Sequence, residues 1–262
     1  MPIHAPRMST MQIVPLSAFR DNYIWAMTAH GQCVIVDPGE AEPVLRFLLQ
    51  HDLRLAAILI THRHNDHIGG VADLLEAWPV PVFGPALIAL VTNPVKANDC
   101  IDLPGIDARA SVMEVPGHTE EHIAFCCGEH LFCGDTLFAG GCGRLLGSST
   151  AAELHASLQR IATLPESTQI YCAHEYTLGN LRFAQAVEPE NEALKTRIAH
   201  CNALRASGLP TLPSRLGDEL ATNPFLRTEE PDIRNAAERH AGAPLGSPAA
   251  VFAALRAWKD TF

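Results

Sequence analysis

Three short runs near the start of the chain, residues 12–16, 23–28 and 33–37, carry the alternating and apolar patterns of strands, with turn residues between them. Residues 42–51 follow a helical period. Residues 55–60 form a nearly continuous apolar run, the pattern of a strand buried on both faces. Residues 70–78 read as helical, and Pro79 and Pro81 bound a short strand over 80–83. Further strands are predicted at 111–115, 122–127, 130–133 and 168–173, with an amphipathic helix over 151–164. After His174 the texture changes. Residues 178–187, 191–207, 230–240 and 248–260 are predicted helical, and Ser214 is placed as the cap of a helix running to 221. Asn223-Pro224 and the stretch from Gly242 to Pro244 are breaks, and no strand is predicted in this half. The pattern divides the chain near residue 174, into a mixed α/β unit over 11–174 and a helical unit over 175–262. Met1, Met8 and Met11 crowd the start, and patterned sequence begins near Met11. Residues 1–10 are therefore read as a disordered extension or the product of an upstream start codon.

Composition narrows what such a chain does. Of its 262 residues 47% are hydrophobic and 18% charged, which supplies a sizeable core and excludes a disordered chain. Polar residues break every apolar run before the roughly 18 residues that a membrane helix needs. The first 20 residues lack the continuous apolar segment of a signal peptide, so the expectation is a cytoplasmic protein. A net charge of −10 argues against nucleic acid or an anionic membrane as partner, and leaves room for a small anion held by a local cationic patch. The 8 cysteines contain no CxxC pair. Most sit in apolar runs and read as buried free thiols in a reducing compartment.

The chemistry concentrates in Thr61-His62-Arg63-His64-Asn65-Asp66-His67, which follows the buried strand predicted at 55–60. Imidazole nitrogen and carboxylate oxygen are ligands that Zn²⁺ accepts. In an extended loop His62 and His64 project to one side, which leaves Asp66 and His67 to serve a second ion nearby. His118, Asp135 and His174 each stand at the end of a predicted strand, where loops leave a sheet and function gathers. Five His and two Asp supply three ligands to each of two ions, with one carboxylate shared. Two ions a few ångströms apart provide a nucleophile from water and a Lewis acid, so the chain reads as a hydrolase without a Ser or Cys nucleophile. Neither GxSxG nor a P-loop is present.

These residues resemble the metallo-β-lactamase superfamily, whose fold is an αββα sandwich. The phrases Asp21-Asn22-Tyr23-Ile24-Trp25, Gly134-Asp135-Thr136-Leu137-Phe138, Gly141-Cys142-Gly143-Arg144, His174-Glu175-Tyr176-Thr177, Val187-Glu188-Pro189-Glu190-Asn191 and Thr222-Asn223-Pro224-Phe225-Leu226-Arg227 resemble its glyoxalase II family, the hydroxyacylglutathione hydrolases. The resemblance implies an α/β sandwich followed by a smaller all-helical C-terminal domain that binds glutathione. It implies that His62, His64 and His118 bind a first metal, that Asp66, His67 and His174 bind a second, and that Asp135 bridges them. It implies hydrolysis of S-D-lactoylglutathione to D-lactate and glutathione, the second step of methylglyoxal detoxification. There a bridging hydroxide attacks the thioester carbonyl, so Asp66 and Asp135 take part in catalysis through the metals. Arg144, Tyr176, Arg256 and Lys259 would hold the tripeptide. Leu146 stands where some members place a tyrosine against glutathione, and the Gly147-Ser148-Ser149 turn also departs from the common pattern. Two divalent ions are expected, zinc first, with iron and manganese open. A monomer is expected.

Four other readings compete. A lactonase, β-lactamase or other thioesterase on the same scaffold is opposed by the C-terminal domain and the His174-Glu175-Tyr176 phrase, and a β-lactamase of the commonest type would carry Cys where Asp135 stands. A one-iron sulfur dioxygenase would not need Asp66, His67 and His174 as ligands. A nuclease is opposed by the net charge of −10, and a non-catalytic scaffold by the intact ligand set.

Overall fold

The computed structural model describes residues 11–262. The extension expected over residues 1–10 lies outside the described residues. The first sheet is built from β1 (Gln12–Ala18), β2 (Asn22–Ala29), β3 (Gln32–Val36), β4 (Arg54–Leu59), β5 (Val82–Gly84) and β6 (Asn93–Pro94), hydrogen-bonded in that order. β1 to β3 run antiparallel, and β3 to β6 run parallel. Between these strands lie α1 (Ala41–Gln50), α2 (Asn65–Ile68) and α3 (Val71–Ala77). The period-two pattern of β2 explains its place. Tyr23, Trp25, Met27 and Ala29 enter the larger core, whereas Ile24 and Ala26 join Val44, Leu48, Val71 and Leu74 in a second core under α1 and α3.

The second sheet takes β7 (Cys100–Leu103), β8 (Ala108–Glu114), β9 (Ile123–Cys127) and β10 (His130–Gly134) as an antiparallel run. A small hairpin, β11 (Leu137–Phe138) with β12 (Gly141–Cys142), follows, and then α4 (Ala151–Ala162), which starts on a complete capping box of Thr150 and Glu153. The chain returns as β13 (Gln169–Cys172), parallel to β10. The remainder is α5 (Thr177–Val187), α6 (Glu192–Ala206), β14 (Ser214–Arg215), α7 (Leu216–Thr222), α8 (Pro231–Ala241) and α9 (Pro248–Thr261). Side chains from both sheets share one core, including Trp25 and Val36 from the first and Phe125 and Phe132 from the second. The expected αββα sandwich with helices after it is the architecture found.

Two expectations fail locally. The C-terminal half does contain a strand, because β14 pairs antiparallel with β13 through Ile170 and Ser214. Ser214 is thus a strand residue, and Arg215 takes the cap position of α7. Two residues are too few to show a period in sequence, and only the neighbouring edge of β13 makes them a strand. The second difference lies in the His-rich segment, which is only half extended. Asn65–Ile68 forms the single turn α2, so Asp66 and His67 are aimed by helical geometry.

Candidate metal centre

Every side chain of the expected ligand set leaves the sandwich at the same edge. His62 and His64 follow β4, Asp66 and His67 lie on α2, His118 follows β8, Asp135 follows β10, and His174 follows β13. The structure brings the seven into two groups that share a carboxylate. Nδ1 of His64 lies 2.9 Å from Nε2 of His62 and 3.0 Å from Nε2 of His118. Oδ2 of Asp135 lies 3.4 Å from Nε2 of His118. The other oxygen, Oδ1, lies 3.4 Å from Nε2 of both His67 and His174. Oδ2 of Asp66 closes the second group, 3.6 Å from His67 Nε2 and 3.4 Å from His174 Nε2. Metal–nitrogen bonds of about 2.0–2.1 Å at tetrahedral angles separate donor atoms by about 3.3–3.4 Å. The observed spacings bracket that value.

A test of fit comes from polar atoms left over. Nε2 of His67 and Oδ1 of Asp135 are buried with no hydrogen-bond partner among the described residues. Buried polar atoms are ordinarily satisfied, and a cation between these two would satisfy both. The donor set therefore fits divalent ions.

The opposite ring nitrogens explain why the donors converge. Nδ1 of His67 is 3.0 Å from Asp37 Oδ2, Nδ1 of His174 is 3.1 Å from Asp21 Oδ1, and Nδ1 of His118 is 2.8 Å from the Arg144 carbonyl. Nδ1 of His62 is 3.0 Å from the Thr61 hydroxyl. Each contact aims Nε2 inward, as outer partners of metal-binding imidazoles do. Asp37 also accepts from the Thr61 amide at 2.8 Å and the Thr61 hydroxyl at 2.7 Å, and Asn22 donates to Asp66 Oδ2 at 3.0 Å. Asp37 carries no signal in sequence beyond closing the strand predicted at 33–37, and Asp21 and Asn22 enter only as the opening of one phrase that carries the resemblance. Asp37 comes close enough to His62 and His67 to form a third grouping of possible ligands. Its oxygens are already engaged, which makes it an outer partner.

Charge in the cradle is paired. A hydrogen bond to His174, with the nearby His67 and Asn22, holds Asp66 below the usual carboxylate range. Burial pulls His174 down, but the neighbouring carboxylates of Asp135 and Asp66 outweigh this and raise it to about 10. Burial likewise opposes the rise of His67, and Asp135 and Asp37 outweigh it. His62, wholly buried among other imidazoles, is held well below its ordinary value by desolvation and by His67 and His122. The carboxylates of Asp66 and Asp135 thus favour positive charge at the second group, the place a divalent cation would take.

The cradle opens into a cleft of about 1000 Å³, which Arg144, Tyr176, Arg256 and Lys259 all line. Tyr176 caps α5 and stacks on His174 with ring centres 4.6 Å apart and planes 8° apart. Lys259 is half-buried, with Nζ 3.4 Å from the Gly179 carbonyl. Burial and the neighbouring Arg256, Arg182 and Arg144 push its pKa down. Arg256 is a different kind of residue. It is 4% exposed and donates to the Cys142 carbonyl at 3.1 Å and to Asp260 at 3.0 Å. It is neither a solvated helix end nor a free cation. Leu146 lines the rim and is 43% exposed.

Sandwich and cradle together define a metal-binding protein of the metallo-β-lactamase class. Residues 19–174 match the family model of the metallo-beta-lactamase superfamily, and residues 175–262 match the hydroxyacylglutathione hydrolase C-terminus. The chain is 53% identical to the hydroxyacylglutathione hydrolase of Alkalilimnicola ehrlichii, over 95% of this chain and 98% of that one. It is 50% identical to the protein of the same name from Aeromonas hydrophila, over 95% and 99%. Among solved structures, ETHE1 from Myxococcus xanthus superposes with a TM-score of 0.63 at 23% identity, over 96% of this chain and 98% of that one. The BLEG-1 B3 metallo-beta-lactamase gives 0.62 at 23%, over 83% and 99%, and both likenesses speak to the fold alone. The chain belongs to the hydroxyacylglutathione hydrolase family.

Proposed function

We propose that the chain hydrolyses S-(2-hydroxyacyl)glutathione thioesters, S-D-lactoylglutathione first among them, to the 2-hydroxy acid and glutathione. The observation that carries this reading is Asp135, whose two oxygens face two separate imidazole groups on the floor of a cleft lined by cations. In this reading His62, His64 and His118 hold one ion, Asp66, His67 and His174 hold the other, and Asp135 reaches both. Zinc is the first expectation, and iron and manganese suit the same donors. When bound, such a pair supplies a Lewis acid for a carbonyl oxygen and a nucleophile drawn from water at neutral pH.

The chain's own residues account for the rest. Asp21, Asp37 and the Arg144 carbonyl keep the imidazole donors aimed inward, so the cradle needs little rearrangement on loading. Arg144, Arg256 and Lys259 offer donors to the two carboxylates of glutathione. Tyr176 lines the cleft while its ring covers His174. Glutathione leaves as a thiolate, a good leaving group, so no side chain has to protonate it. Residues 11–174 form the catalytic domain in this reading, and residues 175–262 form the wall that binds glutathione. We place the protein in the cytoplasm as a monomer acting on a small molecule, with neither nucleic acid nor membrane as partner. Its eight cysteines are all free, and among the described residues no helix is long and apolar enough to cross a membrane.

Loss of thioester absorbance on S-D-lactoylglutathione, measured with metal content and with lactone and β-lactam competitors, tests the proposal. Turnover with two ions per chain is expected, abolished by a chelator and restored by zinc. Active enzyme with fewer than one ion per chain, or no turnover at millimolar thioester, rejects it. A preference for lactone or β-lactam moves the chain to another branch of the superfamily.

A further inference from the structure

One buried imidazole at the cradle is neither in the expected ligand set nor part of the cleft lining. His122, four residues after His118 and just before β9, is 0% exposed. Its ring lies face to face on His62, with centres 4.4 Å apart and planes 17° apart. Nδ1 is 3.0 Å from the carbonyl oxygen of Ile123, and Nε2 accepts the backbone N–H of Asp135 at 3.2 Å. A carbonyl only accepts and an amide N–H only donates. The two contacts together therefore require the neutral ring with its proton on Nδ1. The Thr136 hydroxyl, 3.4 Å from Nδ1, is as close to the Val115 carbonyl and does not alter that assignment. Nε2 is engaged by the amide, so His122 cannot ligate a metal as the five other imidazoles can.

The backbone is fitted to this ring. Gly134, at φ +48°, carries the chain from β10 into Asp135, and a Cβ there would stand 2.9 Å from Cε1 and Nε2 of His122 and 2.4 Å from the Thr61 hydroxyl. Glycine adopts that left-handed conformation without steric cost and leaves room for the imidazole. His122 thus touches the shared carboxylate residue through its backbone and a first-group imidazole through its face.

We infer that His122 is a positioning residue of the metal cradle, fixing the backbone of Asp135 and the ring plane of His62 and so setting how the shared carboxylate and the first-group donors converge. The inference rests on the two-ion reading above. Outer-layer groups of this kind change metal affinity by about 10–100-fold when they are replaced. Two variants separate packing from hydrogen bonding. His122→Phe keeps a flat ring against His62 and leaves the Asp135 amide without an acceptor. His122→Gln gives up the ring and can present an acceptor oxygen near the place of Nε2.

Zinc binding to metal-free protein, by competition with a chromophoric chelator, is measured beside the melting temperature and the kcat and KM on S-D-lactoylglutathione. Wild type is expected to take up two ions. His122→Phe is expected to bind zinc about 10–100-fold more weakly, with kcat lowered and KM little changed, and His122→Gln to recover most of the affinity. Wild-type zinc affinity in His122→Phe, or equal losses in both variants, overturns the inference and leaves the two-ion reading standing. Fewer than one ion in wild type removes that reading and the inference with it. Should His122→Phe fail to fold, ¹⁵N chemical shifts of the wild-type His122 ring decide. An Nδ1–H tautomer in metal-free and zinc-loaded protein supports the inference, and an Nε2–H tautomer overturns it.

Discussion

At the scale of single residues, chemistry and spacing made some roles legible and left others hidden. His62, His64, Asp66 and His67 fall within six positions after an apolar run, and few structural purposes call for that density of metal-competent groups. Asp21, Asp37 and His122 are as close to the cradle, yet a loop Asp or a strand-start His is common, and only the fold says which ring it meets. Arg256 and Lys259 show the same limit in another form. They sit three apart on α9, look equivalent in sequence and both line the cleft, but Arg256 is buried with its guanidinium on the Cys142 carbonyl and Asp260, whereas Lys259 is half-buried over the Phe183 ring. Their substitutions should therefore differ. Lys259→Ala should raise KM for the glutathione thioester by about 5–10-fold with kcat within about twofold and no change in melting temperature. Arg256→Ala should raise KM as well and also cost about 2 kcal/mol, or roughly 4–8 °C, because it leaves the Cys142 carbonyl without its donor. Steady-state kinetics and thermal unfolding on both variants check this, and equal melting temperatures would remove the structural half of the Arg256 account.

Among the elements, the β11–β12 hairpin decides how the helical segment reaches the site. Glu219 on α7 is 0% exposed, is ion-paired with Arg197 of α6, and accepts from the Gly140 amide at 2.8 Å. Asn223 donates to the Gly141 carbonyl at 3.0 Å. α7 and its C-cap, braced by Arg197 of α6, thereby hold the hairpin whose far end leads into Gly143 and Arg144. Gly143 is there because a Cβ would stand 2.1 Å from the Asp135 carbonyl oxygen. Removing one partner of a buried ion pair costs about 3–5 kcal/mol, so Glu219→Ala should destabilise by that amount. Glu219→Leu combined with Arg197→Met, which leaves no unpaired charge, should recover much of the loss. Urea denaturation of the single and double variants measures both, and additive losses would contradict the coupling. Longer elements were readable from their periods, as with β2, α1 and α4. β14 and α2 were not, because two strand residues and one helical turn carry no period.

For the whole molecule, the division near residue 174 separates textures of sequence, while the core crosses it. Phe183, Phe225, Phe252 and Leu255 belong to the same buried cluster as Trp25, Phe125 and Phe132. A shared core couples the segments, so metal-free protein should unfold in one cooperative transition, with far-UV circular dichroism and tryptophan fluorescence coinciding. Two resolved transitions would show that the helical segment is an independent unit. The acidic net charge of −10 says less about partners than the local field does. Arg144, Arg182 and Arg256 act on Lys259 within the cleft, and Asp260 stands beside Arg144 and Arg256. The class of architecture, the change of texture near residue 174 and the chemistry of the candidate ligands could be read without the fold, because hydrophobic periods and donor chemistry are local properties. Tertiary structure alone decided that Asp135 faces two groups, which nitrogen of each imidazole points inward, that Arg256 is buried, and that His122 supports the cradle rather than joining it. Those are outcomes of how strand ends far apart in the chain meet at one edge of the sandwich, and no local pattern encodes such a meeting.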